Sequence, residues 1–284
     1  MLEKMKIAVV GFGVMGRAIV SSLIGTGRVG RNSLTVVEPN PERLEMLKAE
    51  FNINGALDSA GSINQADIVI LAIKPQGLNL AAKSIKGNIR EDALVISILA
   101  GVSLDTLREK IGVQQIIRAM PNTPAQIGMG VTVWVKTEQV NEEKQKIATE
   151  IIQTLGEEVM VDEENYLDMA TALSGTGPAY VFLFMEAMIE AGVHMGFPRR
   201  IAEKLVVQTL RGSTEFYRQN HEHPARLRND VTSPGGTTAE ALYYLEKAGF
   251  RTAISRAIWA AYERSIELGK GKAKKVVEEL NKSE

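Results

Sequence analysis

Between residues 6 and 161, short apolar, β-branched runs recur with amphipathic segments between them, and this alternation restricts the fold more than any other feature of the chain. The runs are residues 7–10, 34–37, 68–72, 94–98 and 115–117. Strands so uniformly apolar are buried on both faces, and residues 14–24, 41–50 and 104–111 have the helical length and patterning to cover them. Strand and helix in alternation build a parallel sheet, so residues 1–161 are expected to form a doubly wound α/β domain.

After Val161 no further β-type run occurs, and prolines at 178, 198, 224 and 234 stand where helices would begin. Residues 162–284 therefore read as a second, all-helical domain, in which the lysines at 270, 272, 274 and 275 form a solvated helix face. The apolar run 179–189 is broken by Glu186 and is shorter than the roughly 18 residues of a membrane span, so it reads as a buried helix. Residues 178–194 are apolar nearly all round, more than one subunit's core hides, and this predicts a homodimer through the helical domain.

The formal net charge is −1, which provides no field for gathering nucleic acid or an acidic membrane surface, so a small-molecule partner is expected. There is no cysteine, which excludes disulfides, a thiolate nucleophile and Cys-ligated zinc. With no targeting segment visible before the first strand, a cytoplasmic protein is expected.

Chemistry first appears directly after the first run, in Gly11-Phe12-Gly13-Val14-Met15-Gly16. A G-x-G-x-x-G that ends a strand and opens a helix is the fingerprint of a Rossmann dinucleotide site. Gly11 permits the turn, Gly13 admits the pyrophosphate and Gly16 lets helix and strand pack closely. Glu38 follows Gly16 by 22 residues, near the spacing at which an acid accepts from the adenosine ribose, and its charge would repel a 2′-phosphate. The spacing thus leans towards NADH over NADPH, with Arg43 near enough to oppose that preference. Further loops end strands on the ligand side of such a sheet: Ala72-Ile73-Lys74-Pro75, Leu99-Ala100-Gly101 and Met120-Pro121-Asn122-Thr123-Pro124. The last of these, with Asn122, is placed to face the nicotinamide.

In the second half, Thr232-Ser233-Pro234-Gly235-Gly236-Thr237-Thr238 is a poor helix interior and a good helix entrance. Glycines and hydroxyls at a helix N-terminus offer free N–H donors at the positive end of the helix dipole, a site for a small carboxylate. The plainer alternative is capping by Ser233 or Thr238. Ser174-Gly175-Thr176-Gly177-Pro178 has the same character and is expected to form a second entrance. His221-Glu222-His223 has metal-ligand chemistry but no third ligand set nearby, so no metal is expected.

The glycine loop, Ala72–Pro75, Met120–Pro124, Leu173-Ser-Gly-Thr-Gly-Pro-Ala-Tyr180 and Asp230-Val-Thr-Ser-Pro-Gly-Gly-Thr-Thr238, in this order, resemble pyrroline-5-carboxylate reductase over essentially the whole chain. The resemblance implies reduction of the cyclic imine of 1-pyrroline-5-carboxylate to L-proline with NADPH or NADH. It also implies a Rossmann domain followed by a helical dimerisation domain, and dimers that often assemble into a decamer. Carried onto this sequence, it puts the backbone of Gly236 and Thr237 at the substrate, beside Ser233 and Gly235 of the same entrance, and has Thr238 hydrogen-bond the ring nitrogen. Ser174 and Thr176 join that set. Family members often carry Asn at the ribose-facing position where this chain reads Asp58-Ser59-Ala60-Gly61, so Ser59 takes that contact. An imine protonated on nitrogen is already electrophilic, so positioning suffices and no strong acid is needed.

Three other readings compete. Tyr243 and Lys247 match the Tyr-x-x-x-Lys pair of short-chain dehydrogenases but fall in the helical half, where residues four apart are ordinary neighbours. A β-hydroxyacid dehydrogenase would need a lysine acid/base in the second domain, and neither glycine-rich entrance has one. A non-catalytic NAD-binding sensor shares the fold without the chemistry.

Overall fold

The computed structural model describes residues 2–269; the lysines from 270 onward lie outside the described residues. Eight strands form one sheet: β1 (Ile7–Val10), β2 (Leu34–Val37), β3 (Asn54–Ala56), β4 (Ile68–Leu71), β5 (Leu94–Ser97), β6 (Ile116–Met120), β7 (Gly130–Lys136) and β8 (Gly156–Met160). Their spatial order is β3-β2-β1-β4-β5-β6-β7-β8. The first six are parallel; β7 runs antiparallel to β6, and β8 follows β7 in parallel. The five runs legible in the sequence are therefore β1, β2, β4, β5 and β6, while β3 and β8 close the two edges.

Side chains leave a strand on alternate faces, and the core divides accordingly. Ile7 and Val9 pack with Val36, Ile70 and Ile96 in one apolar cluster, beneath α1 (Val14–Gly25), α2 (Pro41–Phe51) and, beyond them, α5 (Glu142–Ile152). Ala8 and Val10 pack with Val69, Leu71 and Val95 in a second, beneath α3 (Leu78–Ile85) and α4 (Leu104–Ile111). Helices cover both faces, as the uniformly apolar strands require. Three of these helices are closed by side chains: Asn40, Ser103 and Asn141 accept from the backbone N–H of Arg43, Thr106 and Lys144.

One buried charge ties later segments to the sheet. Arg118 on β6 is 4% exposed and pairs with Glu164 at 2.8 Å and Asp168 at 3.5 Å. Glu164 also accepts from the Leu104 N–H at the start of α4, and Asp168 accepts from the Ser265 hydroxyl. A guanidinium this deep is tolerated because charged and hydrogen-bonded partners surround it.

Beyond the sheet all described structure is helical: α6 (Tyr166–Ala170), α7 (Gly177–His194), α8 (Arg199–Asn220), α9 (Pro224–Asp230), α10 (Thr237–Lys247) and α11 (Phe250–Gly269). The described chain forms two compact units, residues 2–176 with 261–269, and Gly177–Ala260. The second unit has hardly any interior of its own: of residues 177–260 only Gly192, Ala202 and Val206 are buried. In α7, Phe182 and Leu183 are 62% and 67% exposed, so the run expected to be a buried helix is not buried within one chain. Nor is it as short as its sequence suggests. A π-turn at Thr171–Gly175 joins α6 to α7, and the resulting helix Tyr166–His194 is, by length and composition, long and apolar enough to cross a membrane.

Within the sheet, the Thr132 hydroxyl on β7 is buried without a hydrogen-bond partner among the described residues. Valine has the same shape and no polar atom to desolvate, so Thr132→Val is expected to stabilise the protein by about 1 kcal/mol. Thermal unfolding should show this as a rise of roughly 2–3 °C in Tm; a fall would mean that the hydroxyl has a partner in solution.

Candidate active site

The turn after β1 is built by glycines for which no other residue can stand in. Gly11 has φ +93° and donates its N–H to the Val37 carbonyl, which ties the turn to the end of β2. A Cβ on Gly11 would lie 2.6 Å from Ile73 Cγ2 and 2.9 Å from the Ala72 carbonyl oxygen, so the turn touches the loop after β4. A Cβ on Gly16 would lie 2.3 Å from the Gly11 carbonyl oxygen, which is how closely α1 is packed on the turn that opens it. Gly13 differs from both. It is exposed, a Cβ there would meet nothing within 4 Å, and as the N-cap of α1 it offers no side-chain cap. The first-turn N–H groups of Val14, Met15 and Gly16 precede the first helical bond, from the Arg17 N–H to the Gly13 carbonyl. An uncapped helix start beside an open glycine fits a pyrophosphate.

The residues around this turn divide by what they can offer. Phe12 is buried against Phe51, edge to face at 5.8 Å, so only its backbone faces the site. Val14 is exposed and Met15 half-buried. At the end of β2, the Glu38 side chain is 8% exposed, accepts from the Asn40 N–H at 3.2 Å and lies 3.7 Å from Arg43 Nε. Arg43 also donates to the Phe12 carbonyl, so acid, base and glycine turn form one cluster. Ser59, after β3, is buried. In the loop after β4, Ala72 donates to the Val10 carbonyl, Ala72, Ile73 and Pro75 are half-buried, and the Lys74 side chain is exposed. Ala100 is half-buried in the loop after β5, next to Gly101 with φ +71°.

Asn122, expected to face the cofactor, is engaged by the protein at both ends of its amide. Its Oδ1 accepts from the Val131 N–H at 2.9 Å, and its Nδ2 donates to the Ser174 carbonyl at 3.2 Å. The Ser174 segment does lead into a helix, but not from a loop. Ser174 and Gly175 end the π-turn that follows α6, Thr176 is a bend, and α7 begins at Gly177. The Thr176 N–H and hydroxyl both donate to the Thr171 carbonyl, and the Ser174 hydroxyl donates to the Ala170 carbonyl. Hydroxyls that bond back into the preceding turn keep a chain helical where their composition suggests a start. π-Turns of this kind concentrate at functional sites.

The stretch 232–238 is a helix entrance, as its composition predicts. Gly235 has φ +68°, the Gly236 N–H returns to the Ser233 carbonyl, and a Cβ on Gly236 would sit 2.6 Å from Ser233 Oγ. Gly236 is the N-cap of α10 and no side chain caps this end, so neither Ser233 nor Thr238 acts as a cap. The first helical bond runs from Glu240 to Gly236, ahead of which stand the N–H groups of Thr237, Thr238 and Ala239. Thr237 is exposed and Thr238 half-buried.

Other motifs find local explanations. Tyr243 and Lys247 are neighbours on α10, with the ammonium 5.6 Å from the ring centroid. His223 Nδ1 accepts from the Ala225 N–H at the start of α9, and His221, with φ +53°, ends α8. Among the described residues no group of three or more His, Asp or Glu is placed to hold a metal. Arg118 and its carboxylates went unread in the sequence. The available signal was an arginine directly continuing the apolar run 115–117, a position where a strand buries it.

Two family models match the chain, one in each half. Residues 6–101 match the family described as NADP oxidoreductase coenzyme F420-dependent, and residues 164–268 match pyrroline-5-carboxylate reductase dimerisation. The second match spans the exposed apolar helices and supplies a subunit partner to cover them. The chain is 42% identical over 265 residues to pyrroline-5-carboxylate reductase of Synechocystis, covering 93% of this chain and 98% of that one. To the Escherichia coli pyrroline-5-carboxylate reductase it is 40% identical over 271 residues, covering 95% and 100%. The crystal structure of Plasmodium falciparum pyrroline carboxylate reductase with NADP bound superposes with a TM-score of 0.87 at 31% identity, covering 95% of this chain and 100% of that one. With relatives this similar over nearly its full length, the chain belongs to the pyrroline-5-carboxylate reductase family.

Proposed function

We propose that this reductase seats the pyrophosphate of its dinucleotide on the N-terminus of α1 and the carboxylate of 1-pyrroline-5-carboxylate on the N-terminus of α10, and releases L-proline. The reaction is an NAD(P)H-dependent reduction of a C=N bond. When bound, the reduced nicotinamide supplies the hydride. The observation that carries the substrate half is the glycine N-cap of α10, which leaves three backbone donors without a capping side chain. A carboxylate there gains charge-assisted hydrogen bonds and the favourable end of the helix dipole. Ser233, Gly235, Gly236 and Thr237 shape that cradle, and Ser174 and Thr176 line the substrate from the π-turn.

Thr238 is the catalytic residue of this proposal. Its hydroxyl holds the ring nitrogen, orients the imine carbon towards the hydride donor and stabilises the nitrogen as the C=N bond is consumed. Because the nitrogen enters protonated, hydride addition to the imine carbon gives the amine without a further acid. At the other ligand, Glu38 accepts from the adenosine ribose and disfavours a 2′-phosphate, which makes NADH the better donor. Ser59, Lys74, Pro75 and Ala100 line the rest of the dinucleotide.

Three outcomes are expected. Thr238→Ala should lower kcat by about a hundredfold with the cofactor KM nearly unchanged; an unchanged kcat removes Thr238 from the chemistry. Steady-state kcat/KM should be higher with NADH than with NADPH, and a strong NADPH preference would overturn the role given to Glu38. Gly13→Ala, which meets no neighbour, should keep Tm and weaken cofactor binding on the order of tenfold, about 1.4 kcal/mol. Gly16→Ala, which collides with the Gly11 carbonyl, should lower both. Equal effects of the two substitutions on Tm would contradict the assignment of one glycine to packing and the other to ligand access.

A further inference from the structure

The carbonyl of Ser174 has lost its natural partner. In a helix it would accept from the N–H four residues on, but residue 178 is proline and has none. The donor comes instead from Asn122 Nδ2, at 3.2 Å, in the loop that follows β6. The other end of the same amide accepts the Val131 N–H at 2.9 Å. One neighbour can only accept and the other can only donate, so the amide has a single orientation, and no other side chain of this reach and shape satisfies both. The contact is reinforced alongside: Gly175 has no side chain, and a Cβ there would lie 2.8 Å from Met120 Cε at the end of β6. The loop beside the expected nicotinamide and the π-turn are thus held in register by one amide.

We infer that Asn122 is a positioning residue for the reduction: it acts through Ser174, fixing the π-turn relative to the end of β6, rather than through a contact with the dinucleotide. The inference rests on the proposal that Ser174 and Thr176 line the substrate. A pivot at this point matters because sub-ångström errors in the approach of hydride donor and acceptor lower the rate steeply while leaving the binding of either partner largely intact.

The test uses Asn122→Asp, which keeps the acceptor for Val131 and loses the donor to Ser174. The expected result is a fall in kcat of about tenfold, with Kd for NADH, measured by fluorescence titration, within about twofold of the parent. A raised Kd for NADH makes Asn122 a cofactor ligand and overturns the inference. So does a loss of Tm, or of the folding transition itself, without the kcat effect. Ser174→Ala and Thr176→Val are measured in parallel. If these leave kcat and the substrate KM unchanged, the substrate-lining proposal fails; if they change them and Asn122→Asp does not, the positioning role alone fails.

Discussion

A strand hydrogen-bonded along both edges and buried on both faces can offer chemistry only at its end. β1 is such a strand: it pairs with β2 and β4, and Ile7 to Val10 are all buried. The chain leaves β1 towards β2 and later returns on the other side through β4, so the sheet order reverses beside its C-terminal end. Such a reversal is the place where open α/β sheets bind ligands. Gly11, the Glu38 and Arg43 cluster and the Ala72–Pro75 loop meet at that point because the pairing brings the ends of β2, β1 and β4 side by side. The chemistry of the first unit follows from this topology more than from any one side chain.

The second unit obeys a different constraint. With three buried residues among 177–260, it cannot offset the entropy of ordering its helices by burial within one chain. Side chains such as Phe182, Leu183, Leu205 and Trp259 stand exposed in the single chain. The matching segment of the family is a dimerisation region, which supports a dimer and, with it, another subunit as the cover. Lipid would satisfy the same apolar arithmetic for Tyr166–His194, which is why length and composition alone do not separate the two. The charges and hydroxyls distributed through the other helices of this unit, such as Arg199 paired with Glu190, are those of a helix bundle in water.

How far the sequence could be read depended on whether the deciding interaction was local. The strands flanking β1, the glycine turn and the entrance at 232–238 are all set by neighbours in sequence, by periodicity or by backbone freedom, and each was legible. β3 and β8 were not: Asn54-Gly-Ala and Gly156-Glu-Glu-Val-Met have little β character and are strands because they complete an edge. The direction of β7 is likewise a property of the sheet. Ser174–Pro178 and Gly235–Thr238 share a composition and both lead into a helix, but the first comes directly out of a π-turn, whose Ser174 carbonyl is met by Asn122, 52 positions away. Arg118 was hidden for a related reason, since its carboxylates lie 46 and 50 positions away.

Side-chain capping varies among the helix starts. At α2, α4 and α5 the first-turn donors are met by Asn40, Ser103 and Asn141, and those helices do nothing but cover the sheet. At α1 and α10 the cap is glycine and no side chain arrives. α3, α6 and α8 also start without a side-chain cap, so the omission gains meaning only at the two ends assigned here to anions, where a cap worth about 1 kcal/mol is given up. Unmet donors at a helix start are a standing cost unless water or a ligand meets them, and a phosphate or carboxylate meets them better than water does because its charge also faces the dipole. Under the proposed assignment, the stability given up at Gly13 and Gly236 is recovered when the ligands bind, so the two omissions that weaken the empty protein are the source of its affinity for both reactants.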